Sequence, residues 1–491
     1  MSYMNSEQCY QIITARDARF DGKIFVGVTT TGIYCRPICP AVKPKIEHCL
    51  FYKTSAAAQN AGFRPCLRCR PESSPGIGVW QGTSSTVSRA LMMIEEGALD
   101  GPHTSVERLA SRLGIGERHL RRLFKEHVGA SPTVVAQTRR VLFAKKLLHE
   151  TRLPVSEIAL VSGFDSIRRF NECFQSLIRK SPSELRKLTA SAKNSDHSNA
   201  PITLYLNYVP PYNWEEILHF LSLRIIDGIE YIAKNCYHRS FCFARASGHI
   251  AVAHEPEKHA LRVMIETSST IALPSLVSRI RRVFDLDADI TSIEDYLSQD
   301  KKLSPLIVKR RGLRLPGAWD HFEMGVRAIL GQQVTLAAAR KLASHLTVSY
   351  GMKTGFSSCL EYFFPTAEDV LKADLSQLKM PGARKKTLQN WSHMFTEPSF
   401  HETSPSLDQI ILRLKSIRGI GEWTAHYIAL RAFRETDAFP ASDVGLLRVA
   451  ETWSGQRPTP EELGAIAEKW RPWRAYAAQH LWAEDAEYSR K

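Results

Sequence analysis

Four cysteines near the N-terminus are the first residues whose type and spacing could do chemistry. Three residues separate Cys35 from Cys39, two separate Cys66 from Cys69, and prolines stand beside both pairs. Close cysteine pairs on turns are how small domains build a tetrahedral thiolate site for zinc. Buried free cysteines are the alternative, but the prolines that shape tight loops around each pair favour a metal. The spacing therefore predicts one Zn²⁺ ion held by four cysteines.

The cysteines stand in two stretches that resemble the N-terminal domain of the Ada family of DNA alkylation-response proteins. These stretches are FDGKIFVGVTTTGIYCRPICP and FYKTSAAAQNAGFRPCLRCRPE, and the resemblance covers roughly residues 5–75. It implies that Cys35 accepts a methyl group from a methylated DNA phosphate. It also implies that Cys39, Cys66 and Cys69 are the other zinc ligands.

The same resemblance implies DNA contacts beside the metal site. Thr31 and Arg64 match family positions that touch DNA, whereas two positions that are basic in the best-known member fall on Pro40 and Val42. Four thiolates on one zinc ion leave a net double negative charge, and zinc keeps a sulfur deprotonated and nucleophilic at neutral pH. Methylation of Cys35 removes one of these charges and weakens repulsion from the DNA backbone. A repair event could thus switch DNA binding on.

An internal repeat follows the cysteines. The stretch SVERLASRLGIGERHLRRLFKEHVGASP is echoed by PVSEIALVSGFDSIRRFNECFQSLIRKSP, and Gly114 corresponds to Gly163. In each copy a helix ends at the glycine and a second begins two or three residues later, which predicts a doubled helix-turn-helix. The pattern resembles the DNA-binding domain of AraC-type transcription regulators. A solvated helix face is the alternative, but two copies favour contact with DNA by the basic residues of the second helices, which are Arg118, Arg121, Arg122, Lys125, Arg168 and Arg169.

A glycine hairpin lies in the C-terminal half. In IRGIGEWTAHYIALRAF, Gly419 and Gly421 separate two amphipathic helices. Glycine lets backbone amides approach a phosphate closely, and the N-terminus of the following helix favours the anion. An acidic residue, Asp443, follows the hairpin. This arrangement predicts a DNA backbone contact next to a carboxylate.

Roughly residues 202–485 resemble the AlkA family of 3-methyladenine DNA glycosylases, within the helix-hairpin-helix superfamily. The matching stretches are LNYVPPYNWEEILHFLSLR, RAILGQQVT, GIGEWTAHYIALR and RPWRAYAAQHLW. The resemblance implies that Asp443 is the catalytic carboxylate, whereas Asp437 is an ordinary polar residue. Residues that match its substrate pocket are Trp423, Tyr427 and Trp482.

Departures from the family pattern narrow the predicted chemistry. Gln333 stands where the family has an intercalating leucine, and Val444 replaces a pocket tyrosine, which implies an altered range of lesions. Trp423 occupies the position of the lysine that superfamily members use to cut the strand, so the resemblance implies a monofunctional glycosylase. No cysteine follows Cys359, which excludes the iron–sulfur cluster of some members. A second methyltransferase domain with a Pro-Cys-His-Arg motif is absent, so direct repair of O6-methylguanine is not predicted.

Positioning all these residues requires several domains, and 491 residues suffice for about three. We predict a multidomain α+β protein with a small zinc-bound α/β domain, an all-α double helix-turn-helix and a helix-hairpin-helix glycosylase preceded by an α/β subdomain. The predicted boundaries are 1–80 for the zinc domain, 81–188 for the helix-turn-helix domain, 189–200 for a polar linker, and 201–315 and 316–491 for the two parts of the glycosylase, 201–491.

The charge distribution predicts a polyanionic partner. The chain has a net charge of +15; residues 1–80 hold 10 Lys and Arg against 5 Asp and Glu, and residues 81–190 hold 18 against 11. A basic front end beside a nearly neutral remainder agrees with binding of double-stranded DNA. For a transcription activator we also expect contact with RNA polymerase, and we expect a monomer.

Location and function class follow from the same sequence. No apolar run approaches the roughly 20 residues that a membrane helix needs, and the N-terminus does not have the pattern of a signal peptide, so a cytoplasmic protein is expected. The alternative to an enzyme is a damage-sensing transcription regulator whose C-terminal half only binds DNA. The combination of Asp443, Trp423 and the hairpin argues against that alternative.

Overall fold

The computed structural model describes residues 5–74, 85–101, 104–190, 201–243, 245–356, 359–397 and 406–488. Most of the predicted linker, 191–200, lies outside the described residues, and its first two residues form the end of a helix. Among the helices of the described part, none combines the length and the apolar composition needed to cross a membrane.

A small four-stranded sheet forms the N-terminal domain. Its strand order is β3-β1-β2-β4, and β1 is antiparallel to both neighbours whereas β2 and β4 are parallel. Helix α2 covers one face of the sheet, where Phe25, Tyr34 and Ala58 form a small core. The elements are α1 (Ser6–Ala15), β1 (Phe25–Val28), β2 (Ile33–Cys35), β3 (Cys49–Tyr52), α2 (Ser55–Asn60) and β4 (Arg64–Pro65).

The next domain contains seven helices within residues 85–101 and 104–190, and they confirm the predicted repeat. Gly114 and Gly163 end the first helix of each unit with φ of +71° and +86°, a backbone region that favours glycine. The long helix α6 links the two units. The helices are α3 (Ser85–Glu95), α4 (Val106–Arg112), α5 (Glu117–His127), α6 (Pro132–Glu150), α7 (Val155–Val161), α8 (Ile167–Ile178) and α9 (Pro182–Ala190).

A five-stranded antiparallel sheet begins the C-terminal half. Its strand order is β5-β9-β8-β7-β6, and helices α10 and α11 pack on it through an apolar core. The elements are β5 (Ile202–Asn207), α10 (Trp214–Ser222), β6 (Glu230–Ala233), β7 (Cys236–Phe243), β8 (Ala246–Glu255), β9 (Ala260–Thr267), α11 (Leu273–Val283), α12 (Ile290–Leu297) and α13 (Ser304–Lys309).

In the described residues from 321 onward, nine further helices pack around a second large core. Trp391 is fully buried there, and a Cβ on Gly325 would lie 2.0 Å from its ring, so the close approach of these two helices requires glycine. The helices are α14 (His321–Leu330), α15 (Leu336–Tyr350), α16 (Ala367–Lys372), α17 (Gly382–Thr396), α18 (Leu407–Lys415), α19 (Glu422–Arg431), α20 (Val444–Glu451), α21 (Pro460–Ala467) and α22 (Arg474–Tyr488).

Helix α6 joins the three parts of the chain. On one side, the fully buried Lys145 donates to Glu72 at 2.5 Å and to the carbonyl of Cys66 at 3.3 Å. On the other, Lys146 donates to the carbonyl of Tyr205 in β5. The second helix-turn-helix unit and the β5 sheet also share one continuous apolar core, which contains Val141, Phe170, Phe174, Leu204 and Leu206. The two halves are therefore packed together, in addition to being joined through the linker.

The buried Lys145–Glu72 pair makes a stability prediction. Burial raises the pKa of Glu72, but Lys145 outweighs it and holds that pKa below its usual value. Replacing Lys145 with methionine leaves the buried carboxylate with Arg70, 3.3 Å away and partly exposed, as its remaining cation, and removing one partner of a buried pair typically costs about 3–5 kcal/mol. We expect K145M to unfold at markedly lower urea concentration than the wild type. Lys125→Met, at an exposed position, is the matched control and should change stability by less than about 0.5 kcal/mol. Equal destabilisation by both changes would contradict the structural role of the pair.

Candidate metal centre and candidate active site

The four cysteines come together at the end of the small sheet. Strand β2 ends at Cys35, Cys66 follows β4, and the backbone N–H of Cys66 donates to the carbonyl of Tyr34 at 3.0 Å. All four Sγ atoms lie within 4.8 Å of one another. Zinc–sulfur bonds of about 2.3 Å separate tetrahedral sulfurs by about 3.8 Å, so the site has the size for one zinc ion. The predicted four-cysteine site is confirmed.

The charge of the site also calls for a cation. Hydrogen bonding to Cys39, Cys66 and Cys69, together with burial, raises the pKa of the Cys35 thiol. A zinc ion held by the four sulfurs would keep Cys35 as the thiolate at neutral pH. Cys66 and Cys69 are buried, whereas Cys35 and Cys39 are partly exposed and can be reached from outside.

Arg36 holds the two cysteine loops together. Its backbone N–H donates to Cys69 Sγ at 3.3 Å, and its Nη1 donates to the Cys69 carbonyl at 3.1 Å. Its side chain is buried in an ion pair with Asp21, with Nε 2.8 Å from Oδ1. Sequence reasoning missed this pair, since no local pattern connects Arg36 to a carboxylate 15 positions earlier.

The predicted DNA contacts of the zinc domain lie beside this site. Thr31 is exposed and Arg64 is partly exposed, and the backbone N–H of Arg64 donates to the carbonyl of Gly32 at 2.9 Å. The turn after Cys39 carries Pro40 and Val42 at its surface, with Val42 94% exposed. Neither side chain can donate a hydrogen bond to a phosphate.

The basic residues of the repeat lie on exposed helix faces. All six predicted contacts on α5 and α8 are exposed, namely Arg118, Arg121, Arg122, Lys125, Arg168 and Arg169. Arg121 pairs with Glu117 at 2.6 Å and Arg168 with Glu172 at 3.0 Å, one turn away along each helix. Helix α8 also packs next to strand β4, which begins at Arg64. The basic surfaces of the second unit and of the zinc domain are therefore neighbours.

In the C-terminal half, Asp443 is held at the N-terminus of α20. Its Oδ1 accepts from the backbone N–H groups of Gly445 at 2.9 Å and Leu446 at 3.2 Å. The indole of Trp482 donates to the same oxygen at 2.9 Å, and the indole of Trp423 donates to Oδ2 at 2.7 Å. Every one of these four contacts donates to the carboxylate, so its position and orientation are fixed from both oxygens.

Three aromatic rings surround this carboxylate. Trp423 and Tyr427 stack with centroids 5.3 Å apart and planes 6° apart, and Tyr427 meets Trp482 edge-on at 5.9 Å. These residues, predicted from positions far apart in the sequence, come together in one aromatic cluster. An electron-poor ring can stack on such faces, which gains cation–π energy when the ring is charged.

Two arginines lie close to the pocket tyrosine and were not predicted. Arg431 lies on α19, where Nη1 donates to the carbonyl of Pro316 at 2.9 Å and Nη2 to Gln479 at 2.8 Å. Burial raises the pKa of Tyr427, but Arg224 and Arg431 outweigh it and hold that pKa below its usual value. Burial in turn lowers the pKa of Arg431 to about 10. The aromatic cluster therefore has the Asp443 carboxylate on one side and the guanidinium groups of Arg224 and Arg431 close to Tyr427.

The glycine hairpin has the predicted geometry. Gly419 has φ of +97°, and a Cβ there would lie 1.9 Å from Thr387 Oγ1, so glycine is required. Gly421 caps α19, and a Cβ at Gly421 would meet no atom within 4 Å. The N-terminus of α19 is thus open to a phosphate.

Gln333 lies at the exposed tip of the loop between α14 and α15. Its φ is +54°, an unusual value for a residue with a side chain. The neighbouring Gln332 donates to the carbonyl of Gly419 and to Thr424, each at 3.0 Å, and its own carbonyl accepts from Arg384 at 2.5 Å. These bonds fix the Gln333 loop to the hairpin.

Two residues near Asp443 in the sequence, Val444 and Asp437, have different surroundings. Val444 is 59% exposed and adds apolar surface next to the carboxylate. Asp437 instead pairs with Arg474 at 2.8 Å and with Arg471, which makes it a structural anion.

Comparison with known proteins agrees with this geometry. Four family models match: the metal binding domain of Ada, a helix-turn-helix domain, the AlkA N-terminal domain and the HhH-GPD superfamily of base excision DNA repair proteins, at residues 8–72, 109–188, 203–320 and 326–473. A Mycobacterium tuberculosis protein described as a probable bifunctional transcriptional activator/DNA repair enzyme AlkA is 35% identical over 479 residues, 97% of this chain and 96% of its own.

Two further proteins match the C-terminal half. The DNA-3-methyladenine glycosylase 2 of Escherichia coli is 33% identical over 282 residues, which is 56% of this chain and 95% of that protein. A solved structure, the 3-methyladenine DNA-glycosylase from Archaeoglobus fulgidus, shares the fold with a TM-score of 0.52 and 21% identity over 58% of this chain and 99% of its own. The glycosylase fold of this half is therefore confirmed.

Proposed function

Because the chain belongs to the family of bifunctional transcriptional activator/DNA repair enzymes of the AlkA type, we propose that it couples damage-dependent transcription to the excision of N-alkylated purines, such as 3-methyladenine, from double-stranded DNA. The carboxylate of Asp443, held between two indole N–H groups and a helix N-terminus, is the observation that carries the repair half of this proposal.

Excision begins when the damaged nucleotide leaves the duplex, at a cost of about a few kcal/mol. Its base enters between the rings of Trp423, Tyr427 and Trp482, and a cationic N-alkylated purine gains cation–π energy there. The charged base is already a good leaving group and needs little acid catalysis. Asp443 stabilises the positive charge that develops on the deoxyribose as the glycosidic bond breaks. Gly419 and Gly421 hold the DNA backbone through their loop and the α19 N-terminus.

This mechanism hydrolyses the glycosidic bond without cutting the strand, because Trp423 stands at the hairpin position where strand-cutting members of the superfamily have the lysine that forms a Schiff base. The test is incubation of the purified protein with an alkylated duplex, followed by chromatography of the released bases. Free N-alkylpurines with an intact phosphodiester backbone support the proposal. DNA binding without released base would instead favour the non-enzymatic regulator.

Gln333 is proposed to fill the space that the extruded nucleotide leaves. Replacing Gln333 with alanine should weaken binding to a duplex with one tetrahydrofuran abasic-site analogue by about tenfold, since a plug residue contributes about 1–2 kcal/mol. Gln333→Leu keeps a side chain of similar length at the same strained backbone position and should bind within a few-fold of the wild type. Fluorescence anisotropy measures both, with an undamaged duplex as control. Equal affinity of Q333A and wild type for the abasic duplex would contradict the plug.

The regulatory half is proposed to respond to methylated DNA phosphates. Bound zinc would keep the four sulfurs as thiolates. Cys35 Sγ then donates its electron pair to the methyl carbon of a phosphotriester, the carbon–oxygen bond breaks, and the phosphodiester leaves as an anion. Thr31 and Arg64 hold the DNA beside Cys35. The methylated site is less negative, which favours retention on DNA by the zinc domain together with α5 and α8.

Partners and assembly complete the proposal. The DNA-bound activator is proposed to contact RNA polymerase at the promoter. The protein is proposed to be cytoplasmic, because its substrate is DNA, and to act as a monomer. We also propose domain limits of 1–80, 81–188 and 201–491, which the ranges matched by the family models support. Light scattering of the free protein and of its complex with RNA polymerase on promoter DNA tests the assembly.

A further inference from the structure

A second carboxylate lies next to Asp443. Asp485 is on α22, three residues after Trp482, so both side chains lie on the helix face towards Asp443. A Cβ on Gly445 would lie 2.7 Å from Asp485 Oδ2 and 3.2 Å from Asp443 Oδ1. The sum of these distances limits the separation of the two oxygens to about 6 Å, so the two carboxylates are close neighbours. Glycine at 445 is what permits this approach.

The two carboxylates have different surroundings. Asp443 accepts four hydrogen bonds, from two indoles and two backbone amides, and a carboxylate has about four lone-pair sites. Three of these bonds end on Oδ1 and one, from Trp423, ends on Oδ2, so the donors fix the orientation of Asp443 and its charge is well placed to stabilise a cation. Asp443 therefore suits the electrostatic part of the reaction better than the proton transfer.

Asp485 has the properties of a base. Its Oδ1 accepts from Arg448 at 2.8 Å, while the oxygen near Gly445 is Oδ2. Burial raises the pKa of Asp485, Arg448 and Arg457 oppose this, and the charge of Asp443 raises that pKa further. A carboxylate that is harder to ionise is a stronger base once ionised.

We propose that Asp485 orients the attacking water and accepts its proton, while Asp443 stabilises the sugar cation. This assignment rests on the proposed glycosylase function. The bond from C1′ to the base nitrogen breaks and its electron pair leaves with the base, which neutralises the charge of an N-alkylated purine. The water oxygen forms the new bond to C1′, one water proton passes to Asp485, and from there it returns to solvent. The products are the free base and an abasic site.

The test measures single-turnover release of base from a duplex with one 7-methylguanine, as a function of pH. In the wild type the rate should fall at acidic pH as Asp485 becomes protonated. Asp485→Asn should lower the rate by about 10²-fold and remove this acidic limb, because general-base catalysis contributes about that factor or more. Its affinity for the tetrahydrofuran duplex and its urea midpoint should equal those of the wild type.

Arg448→Met is the second variant. It leaves Asp485 in place but removes the cation that favours its ionisation, so the acidic limb should move to higher pH while the plateau rate is retained. The role of Asp485 is overturned if the acidic fall of the pH–rate profile occurs at the same pH in R448M as in the wild type. It is also overturned if D485N has the wild-type rate and the wild-type pH–rate profile. Loss of abasic-duplex affinity in D485N by the same factor as the rate would also overturn it, since that pattern indicates structural support. If the wild type releases no base, the proposed function itself fails.

Discussion

Replacing Asp443 with asparagine is expected to lower the single-turnover rate of base release by about 10³-fold or more while the protein remains folded. Removing one preorganised group that stabilises transition-state charge commonly costs about 10²–10³-fold, and here a full negative charge is lost. Asparagine is as good a helix cap as aspartate, so Gly445 and Leu446 keep their acceptor. Its amide N–H₂ must face at least one indole donor of Trp423 or Trp482, which removes a hydrogen bond as well as the charge.

The measurement is release of 7-methylguanine under enzyme excess, with binding to a tetrahydrofuran duplex measured in parallel. Asp437→Asn is the matched control, because it removes a carboxylate six residues away that pairs with Arg474. That control should be less stable yet retain the rate of base release. If D443N and wild type release base at similar rates, Asp443 is not the catalytic carboxylate. If D437N and D443N lose the same factor, the effect of D443N is structural.

Replacing Cys35 with alanine is expected to abolish transfer of methyl groups from DNA phosphotriesters to the protein. Cys35 is partly exposed at the end of β2, whereas Cys66 and Cys69 are buried, so the first sulfur is accessible to a phosphate. Intact-mass spectrometry after incubation with methylated DNA measures the transfer, and peptide mapping locates it. Chelation of zinc should suppress the transfer in the wild type, and added zinc should restore it, because the thiolate form depends on the metal.

Cys39→Ala separates the two roles of Cys35 as ligand and as acceptor. Both variants lose one zinc ligand, but only C39A keeps the proposed acceptor. Residual methylation of C39A at Cys35, with none in C35A, supports the assignment. Methyl groups on Cys39, Cys66 or Cys69 of the wild type, or any uptake by C35A, would contradict it. In cells, C35A should also fail to raise transcription after methylation damage.

The zinc site was predictable because its four ligands occur as two pairs of cysteines that are close together in the sequence. Each pair of cysteines is flanked by prolines, which favour turns, and cysteine pairs on turns are typical ligands of a single zinc ion. The two helix-turn-helix units were predictable for a similar reason, since Gly114 and Gly163 mark the same turn twice. In the glycosylase half, resemblance identified Asp443 and the aromatic residues, and the structure brings them into contact.

The contacts that sequence reasoning missed join distant positions without a repeating pattern. Arg36 and Asp21 meet across the small sheet, and Arg431 meets Gln479 across two helices. Asp485 lies near the end of α22, and the packing of α22 on α20 brings it near Asp443. Lys145 lies on the long helix α6 and is fully buried against Glu72. Such pairs depend on tertiary packing that local propensities do not encode.

The apolar core shared by the second helix-turn-helix unit and the β5 sheet has a consequence for the whole chain. Domains joined only by a linker unfold independently, whereas domains that bury a common core unfold in one cooperative transition. Heat that loosens the regulator should therefore loosen the repair enzyme at the same temperature. A destabilising substitution in the core of either half would therefore also lower the stability of the other half, even where it leaves both sets of catalytic residues unchanged.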